Sequence, residues 1–469
     1  MPRNDRPDAN TPYEEFITPN LNYNYWEGEV GEPLTLRYNI LTENTVFEQA
    51  VKSAIQLWSN VANLTFIETN STDHNNGVDL LFEAKPLPQG VYGQAPAHFN
   101  PTLYAEVFLA SNIFTDADYA PNNQGYKTLV HEIGHILGLS HPNEIPSIVN
   151  LGGSPKYDVT LPEPFNNDDY SAMISGITFG PVESQFGMLS TPMFADIVAV
   201  QYMYGANWDY NSDDTVYTFT EPSVTTIWDG GGYDLIDARK HTSSVLIDLN
   251  QGNTGAHSEV GESAFWIAGH VNIEQAYGGS AGDTLNGNWS ENRLFGFNGN
   301  DTISGNDGDD FINGNRDSDF VSGNAGNDTV RGGKQNDTVH GNEGDDWLAG
   351  DRDNDSVMGD AGNDTLHGGK LDDTLLGGDG DDYLYGDKND DILTGGSGND
   401  IFVFAADSGV DVITDFQIGQ DLLHINLDAF TTAADVINAF SGSVLDLGNG
   451  NSVTLSGISF LSETDILVG

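Results

Sequence analysis

The sequence predicts two folds in one chain, an α+β domain in the N-terminal half and an all-β parallel β-roll in the C-terminal half. Two patterns carry this prediction. Residues 278–403 divide into fourteen consecutive nine-residue units without an insertion or a deletion. Residues 131–142 read HEIGHILGLSHP, within a segment whose apolar spacing is helical. The first pattern indicates a calcium-dependent scaffold and the second a zinc-dependent hydrolytic site.

The N-terminal half alternates helix and strand patterns. Thr45 and Glu48 have the spacing of a capping box at the start of a helix with a wide apolar face. Strand patterns follow at 64–68, 78–83 and 104–109, and a further helix is expected at 190–204, with Pro192 near its first position. This order of elements fits an α+β domain.

The zinc motif lies on a helix predicted over 126–139. His131 and His135 are one helical turn apart, so both imidazoles leave the same face, and Glu132 lies beside the first of them. Gly138 is placed to end the helix in a left-handed turn that brings His141 back as a third ligand. Three neutral imidazoles leave zinc one open position, where bound water becomes acidic. A structural zinc usually closes that position with Cys, and this chain has none.

The nonapeptide units follow the form G-G-x-G-x-D-x-U-x, in which U is a large apolar residue. The eighth position is apolar in all fourteen units, and the sixth is Asp in all but one, where Asn292 stands. An apolar residue at a fixed step predicts one inward-facing column, and Asp-rich turns supply hard oxygen ligands for Ca²⁺. The predicted calcium ligands lie in six loops that keep a fourth-position glycine: Gly305, Asp307, Asp310, Gly323, Asp328, Gly341, Asp346, Gly359, Asp364, Gly377, Asp379, Asp382, Gly395 and Asp400.

A second period of eighteen residues lies inside the first. The third position of alternate units is basic, and these units lack the fourth-position glycine; the residues are Arg316, Lys334, Arg352, Lys370 and Lys388. If two units make one turn, the two sides of the roll differ chemically. We expect calcium ions along one side, and we hypothesise that Lys and Arg replace calcium between Asp carboxylates along the other. The alternative is five solvated basic side chains.

These motifs resemble those of the serralysin family, metzincin zinc metallopeptidases with a C-terminal RTX β-roll. The long form HExxHxxGxxH, Pro142 after it and the Tyr170-Ser171-Ala172-Met173 segment carry the resemblance. It implies a metzincin-type catalytic domain, Met173 in a methionine turn below the metal, and Glu132 activating a zinc-bound water. The chain departs from the family at Ser175, where a tyrosine that can ligate zinc is usual, and the tyrosine's contribution is therefore in question. The resemblance also implies that strand 104–109 is the sheet edge along which a peptide lies.

The resemblance further implies the domain organisation and the cellular context. We expect one catalytic zinc and several structural calcium ions, protein or peptide substrates, a proteinaceous inhibitor as a further partner, and a monomer. Secretion from a Gram-negative bacterium would use a type I ABC exporter that reads the C-terminus. The expected segments are an N-terminal extension or short propeptide (1–20), the catalytic domain (21–205), a linker with the first β strands (206–277), the roll (278–403) and a C-terminal β cap with the secretion signal (404–469).

Composition excludes other classes of partner. The formal net charge of −55 argues against nucleic acid and anionic membranes, because phosphates need Lys and Arg. No apolar run of about twenty residues predicts a membrane span, and the first residues show no apolar core of a secretory signal. The same charge predicts weak folding without calcium, since Asp-rich loops repel one another until a divalent ion neutralises them.

Two other functions stay open at this stage. A non-catalytic RTX calcium-binding or adhesion protein with a relic zinc site would bind zinc without turnover. A secreted RTX hydrolase of another bond, such as a lipase, would need a serine nucleophile elbow, and no G-x-S-x-G occurs in the catalytic half.

Overall fold

The structure is a computed structural model of the full chain. It describes residues 31–73, 77–95, 97–99, 103–121, 123–137, 139, 197, 200, 201, 204–220, 223–251, 258–261 and 263–469, and the short strands at 18–19 and 159–160. Most residues between 140 and 196 therefore lie outside the described residues.

The N-terminal half contains two helices, α1 (Thr45–Val61) and α2 (Gln124–Ile136), and a 3₁₀ turn at Asp116–Tyr119. Residues 197, 200, 201 and 204 are also helical, within the helix predicted at 190–204. The strands are β1 (Thr18–Pro19), β2 (Leu34–Leu41), β3 (Leu64–Glu68), β4 (Leu80–Lys85), β5 (Gly93–Gln94), β6 (Ala97–Phe99), β7 (Leu103–Ala110) and β8 (Val159–Thr160).

Six of these strands form a mixed sheet in the order β3-β2-β4-β7-β5, with β6 also paired to β7. Strands β2, β3, β4 and β7 run parallel, and β5 and β6 pair antiparallel with β7. The expectation that strand 104–109 forms the open edge is therefore wrong. The short strands β5 and β6 occupy that side of β7, and β5 is the last strand in the order of the described sheet.

Helix α1 begins at Thr45, one residue earlier than it would if Thr45 were its N-cap. The N-cap is Asn44, whose side chain accepts hydrogen bonds from the backbone N–H groups of Val46 and Phe47 at 2.8 and 3.2 Å. The predicted capping box at Thr45 is therefore wrong, because the Asn44 amide oxygen already satisfies these free donors. The buried face of α1 packs on α2, where the Trp58 indole donates to the carbonyl of Val130 at 3.3 Å.

The C-terminal half consists of short strands with one helix, α3 (Ala433–Ala439), and a 3₁₀ turn at Glu463–Asp465. Before and within the repeats the strands are β9 (Val216–Tyr217), β10 (Val224–Ile227), β11 (Leu235–Asp237), β12 (Leu246–Asp248), β13 (Ser258–Val260), β14 (Ser263–Ile267), β15 (Gln275–Tyr277), β16 (Thr284–Asn286), β17 (Arg293–Phe297), β18 (Thr302–Asp307), β19 (Phe311–Asn315), β20 (Phe320–Ala325), β21 (Thr329–Arg331), β22 (Thr338–Glu343), β23 (Trp347–Ala349), β24 (Ser356–Ala361), β25 (Thr365–Lys370), β26 (Thr374–Asp379), β27 (Tyr383–Lys388), β28 (Ile392–Ser397) and β29 (Ile401–Phe404). After the repeats they are β30 (Val410–Ile413), β31 (Leu422–Ile425), β32 (Phe440–Ser441), β33 (Val444–Gly448), β34 (Asn451–Leu455) and β35 (Ile466–Val468).

These strands form two facing sheets of fifteen and twelve strands. Within the repeats each strand pairs in parallel with the strand one turn later, as Thr338 with Ser356 in one sheet and Thr329 with Trp347 in the other. Both pairs are eighteen residues apart, which confirms that two nonapeptide units make one turn of a parallel β-roll.

The predicted apolar column forms the core of the roll. All fourteen eighth-position side chains have 0% exposed surface: Leu285, Leu294, Ile303, Ile312, Val321, Val330, Val339, Leu348, Val357, Leu366, Leu375, Leu384, Leu393 and Phe402. Their neighbours on each strand point outward, as the period of two along a strand requires.

Both sheets extend beyond the repeats, from β9 upstream to β35 downstream. Their strands include segments assigned from the sequence to the linker and to the C-terminal cap, and the segment boundaries themselves stay predictions. Among the described residues no helix combines the length and the apolar composition needed to cross a bilayer.

Candidate functional site

The two predicted zinc ligands on α2 lie side by side. The ring centroids of His131 and His135 are 4.7 Å apart, and the ring planes are nearly perpendicular at 87°. Both side chains are partly exposed, whereas most of the surrounding helix is buried. The helix therefore presents two partly exposed imidazoles side by side on one face.

The end of α2 fixes the orientation of His135. Its Nδ1 lies 3.0 Å from the carbonyl oxygen of Leu139, and because a carbonyl only accepts, Nδ1 carries the proton. Nε2 then carries the lone pair, as in the usual arrangement of a metal-ligating histidine whose other nitrogen is held by a backbone carbonyl. The buried Tyr204 hydroxyl donates to the carbonyl of Leu137 at 2.8 Å and holds the same turn. The sequence motif contained no signal for Tyr204 or Leu139.

Glu132 lies beneath the edge strand of the sheet. Its side chain is only 7% exposed, and burial raises the pKa of its carboxyl group to about 7. A Cβ added to Gly93 would lie 2.6 Å from Glu132 Oε1 and 2.8 Å from the Thr128 methyl group, so β5 passes directly over the carboxyl. A side chain at position 93 would displace Glu132, which gives this glycine a structural reason that the sequence alone did not reveal.

Two predicted members of the site, His141 and Met173, lie outside the described residues, as does Ser175. Within the described part of the chain, no three His, Asp or Glu side chains converge as a ready metal site. The described donors nevertheless suit zinc, because a neutral imidazole with its second nitrogen bonded to a carbonyl is the donor that zinc takes most readily. His131 and His135 would hold the ion, and the predicted third ligand is His141.

The buried carboxylates of the roll form the second candidate site. In the six loops that begin at Gly305, Gly323, Gly341, Gly359, Gly377 and Gly395, named here the complete loops, the sixth-position Asp is at most 3% exposed. Its Oδ1 accepts the backbone N–H of the equivalent residue one turn earlier, as from Asp328 to Asp346 at 2.7 Å. Its Oδ2 has no hydrogen-bond partner in any of the six: Asp310, Asp328, Asp346, Asp364, Asp382 and Asp400.

Burial disfavours the ionised form of these carboxyl groups unless a cation lies beside them. Burial, together with neighbouring Asp residues, raises the pKa of Asp310 to about 8 and that of Asp346 to about 7. A buried carboxylate oxygen without a donor is a strong indication of a missing cation or proton. Because no three side chains converge in the described loops, calcium would also need backbone carbonyl oxygens, which Ca²⁺ accepts readily. Asp307 and Asp379, predicted as further ligands, are exposed at the third position of their loops.

The fourth-position glycine gives the complete loops their shape. Gly326, Gly344 and Gly362 have φ values of +142°, +126° and +143°, which a residue with a Cβ rarely adopts. A Cβ added to Gly344 would overlap the carbonyl oxygen of Gly326 in the preceding complete loop. The loops therefore stack with their fourth-position backbones in direct contact.

The loops on the other side, named here the basic loops after Arg316, Lys334, Arg352, Lys370 and Lys388, differ in conformation. Their fourth residue is not glycine and has a smaller positive φ, +72° at Gln335 and +74° at Leu371. All five basic side chains are exposed, and in the described structure none has an ion pair within 4.0 Å. The buried Asp residues beside them, such as Asp337, also have an unpartnered Oδ2. No contact supports the hypothesis that Lys and Arg replace calcium, and it stays a prediction.

Comparison with known proteins matches both halves of the chain. Residues 30–174 match the Matrixin peptidase family, and segments between 277 and 402 match the RTX calcium-binding nonapeptide repeat. A Serralysin from Photorhabdus laumondii is 29% identical over 318 residues, which cover 60% of this chain and 64% of the relative. Metallopeptidase AprA from Pseudomonas marginalis is 34% identical over 271 residues, covering 51% and 53%. Serralysin C from Dickeya chrysanthemi is 33% identical over 263 residues, covering 51% and 52%.

The chain thus spans about half to two thirds of the length of these relatives. Among solved structures, the extracellular lipase LipA from Serratia marcescens aligns over 44% of each chain with 17% identity and a TM-score of 0.17, a likeness too low to support an argument. The predicted order of folds is confirmed: this chain carries a matrixin-type metallopeptidase domain followed by an RTX calcium-binding β-roll, and its relatives are serralysins.

Proposed function

We propose that this chain is a calcium-stabilised zinc endopeptidase that hydrolyses peptide bonds in extracellular proteins. The observation that carries the proposal is the arrangement on α2, where the rings of His131 and His135 lie side by side and the buried Glu132 lies between them in sequence. Support also comes from the names of the relatives, which are serralysins and metallopeptidases. The third ligand is expected from His141, and Met173 is expected below the site.

Glu132, His135 and strand β5 have separate roles in the proposed peptide hydrolysis. Zinc, when bound, supplies a Lewis acid that polarises the scissile carbonyl and makes water more acidic. Glu132 takes a proton from the attacking water and passes it to the amide nitrogen that leaves. The hydrogen bond from His135 to Leu139 keeps this imidazole in the tautomer that can bind a metal. An extended substrate would pair with the outer side of β5, which passes over Glu132.

We propose further that the enzyme acts outside a Gram-negative cell after type I export. Two considerations support this. Calcium sites of extracellular modules have affinities of about 10⁻⁴ to 10⁻³ M, so such loops fill only where calcium is plentiful. The C-terminal residues expected to carry the export signal form β35, an edge strand of the twelve-stranded sheet, and an edge strand can be released without opening the core.

The test is hydrolysis of casein in millimolar calcium by the parent chain and by Glu132→Gln. The amide keeps the size of the side chain but cannot take the proton, and we expect turnover to fall by about 10²–10⁴-fold. Glu32→Gln is the matched control, because Glu32 is an exposed acid of the same half and should leave turnover unchanged. Zinc content, measured by metal analysis, should be one ion in all three proteins.

Two results would contradict the proposal. Unchanged hydrolysis by Glu132→Gln would show that another residue is the base. A folded parent that contains zinc and hydrolyses no protein substrate would favour the non-catalytic RTX binding protein instead.

A further inference from the structure

The basic residues of this acidic chain are concentrated on one side of the roll. Seven of its sixteen Lys and Arg residues lie between 293 and 388, and five of these seven are in the basic loops. Four of them line a cleft of about 350 Å³ at the corner between the twelve-stranded sheet and the basic loops. The residues of this cleft used below are Asn313, Asn315, Arg331, Lys334, Arg352 and Lys370.

The cations of the cleft form a row along the roll axis. Lys334, Arg352 and Lys370 follow one another by one turn each, and in the described structure none of them has a carboxylate within 4.0 Å. Arg331 is held beside them by a two-point ion pair with Asp351, at 2.8 and 3.0 Å. Because neighbouring strands are about 4.8 Å apart, the row offers one unpaired positive charge about every 4.8 Å.

A row of aromatic rings runs parallel to these cations on the outer face of the same sheet. The strand register aligns Phe311, Thr329, Trp347, Thr365 and Tyr383, so that an aromatic ring alternates with a threonine. All three rings are at least partly exposed, and Tyr383 is 42% exposed. Successive rings are thus two strands apart, about 9.6 Å.

The Arg331 guanidinium links the row of rings to the row of cations. It lies 5.4 Å from the centre of the Trp347 ring while it is paired with Asp351 in the basic loop. A ligand bound to the rings would therefore also contact the cations of the cleft. Exposed aromatic rings beside unpaired cations indicate a ligand with apolar faces and negative charges.

We infer that this corner of the roll binds a linear acidic polysaccharide of the polyuronate class, lying along the roll axis. The flat ribbon of a β-1,4-linked glycan repeats every two sugars, a length close to two strand spacings, so that alternate sugars stack on Phe311, Trp347 and Tyr383. In such a ribbon every second sugar turns its carboxylate to the same edge, so these carboxylates lie about two strand spacings apart and would meet every second cation of the row. This activity is independent of the proposed peptidase and would anchor the chain to an acidic glycan.

Charge complementarity favours this ligand over nucleic acid. A duplex carries about one charge per 1.7 Å, and a single row of cations cannot neutralise it against a chain of net charge −55. A uronate chain carries fewer charges and presents ring faces that the aromatic row can cover. The neutral side chains Asn313 and Asn315 add hydrogen-bond donors for sugar hydroxyls.

The test is isothermal titration calorimetry of the full chain in millimolar calcium with a β-1,4-linked mannuronate hexasaccharide. We expect binding that weakens by about tenfold in Arg352→Ser and in Trp347→Ala. The matched controls are Lys240→Ser, an exposed cation away from the cleft, and Phe320→Ala, whose ring is 46% exposed on the opposite sheet. Both controls should bind as the parent does.

The neutral cellohexaose and a short DNA duplex complete the design. We expect both to bind at least about tenfold more weakly than the mannuronate. Equal binding of the neutral sugar, equal binding of DNA, or equal losses in Arg352→Ser and Lys240→Ser would each overturn the inference. The variants change exposed or partly exposed side chains, so we expect each of them to fold. The calcium-dependent circular dichroism signal of each variant checks this.

Discussion

At the scale of single residues, the fourth position of each repeat separates the two sides of the roll. In the complete loops this position needs glycine for two reasons: a φ near +130° and contact with the carbonyl of the preceding loop. In the basic loops the same position has a φ near +73°, the left-handed region that other residues enter at a cost of about 1–2 kcal/mol. Alternate units can therefore lack the glycine because their backbone at this position has a φ that other residues can adopt.

Substitution at this position should distinguish the two sides. We expect Gly344→Ala to lower the free energy of unfolding by about 2–3 kcal/mol, because the methyl group overlaps the backbone of Gly326. Gln335→Ala, at the same position of a basic loop, keeps an accessible φ and loses only an exposed hydrogen bond to Asp317, so we expect less than about 1 kcal/mol. Urea unfolding in millimolar calcium measures both. Equal losses would show that the loop conformations do not differ as described.

At the scale of elements, each strand of the roll contributes one side chain to the core and two to the surface. Strand β26 shows this with two adjacent leucines, since Leu375 has no exposed surface and Leu376 is 37% exposed. The free energy of burial therefore comes from a single column of residues shared between two sheets. The loops fix the position of this column, but they add no apolar surface to it.

The two leucines provide a matched pair for measurement. Leu375→Ala removes buried methyl groups and leaves a cavity, so we expect a loss of about 2–5 kcal/mol. Leu376→Ala removes the same atoms from an exposed position, and we expect a change within about 0.5 kcal/mol. The comparison uses the circular dichroism signal of the roll during urea unfolding at saturating calcium. A similar loss for both variants would place the outer face of β26 inside a packed interface.

The elements also show how far the sequence predicts the fold. The roll could be predicted strand by strand because its apolar residue recurs at a fixed step, and the structure buries every one of them. Strands β5 and β6 could not be predicted, because strands of two and three residues have no period. The role of Gly93 could not be predicted either, because it depends on contact with Glu132, thirty-nine residues later in the sequence. The spacing of Thr45 and Glu48 predicts a capping box, but Asn44 is also a good capping residue, and the structure uses Asn44.

At the scale of the whole molecule, the stability of the roll depends on how its buried carboxylates are neutralised. The chain has a formal net charge of −55, and every turn of the repeats from Asp301 onward buries carboxylates whose second oxygen has no donor. Asn292 is informative, because it replaces Asp at the sixth position and its amide is satisfied without a cation. It accepts from the Asn288 N–H at 2.7 Å and donates to the Glu274 carbonyl at 3.3 Å. A neutral residue therefore fits this position, and the aspartates need either a proton or an ion.

This dependence predicts the effect of pH on the calcium-free chain. The pKa of Asp is about 3.9 in an unfolded chain, whereas burial raises the pKa of Asp337 and Asp373 to about 8 and that of Asp391 to about 9 in the fold. Between these values the folded state binds more protons than the unfolded state, so its stability falls as pH rises through the window. Each pKa unit corresponds to about 1.4 kcal/mol. A few such residues therefore offset much of an ordinary stability of about 5–15 kcal/mol.

We expect the roll in a calcium chelator to be more folded at pH 5 than at pH 8.5, measured by the far-ultraviolet circular dichroism signal for β structure. Millimolar calcium at pH 8.5 should restore part of the lost stability, since the ion neutralises carboxylates of the complete loops, such as Asp310, whose pKa burial raises to about 8. Asp337→Asn should raise calcium-free stability at pH 8.5, as Asn292 suggests, while Asp372→Asn, an exposed acid in a basic loop two turns later, should raise it less. A calcium-free chain that is equally folded at both pH values would show that these carboxylates are already neutralised within the protein.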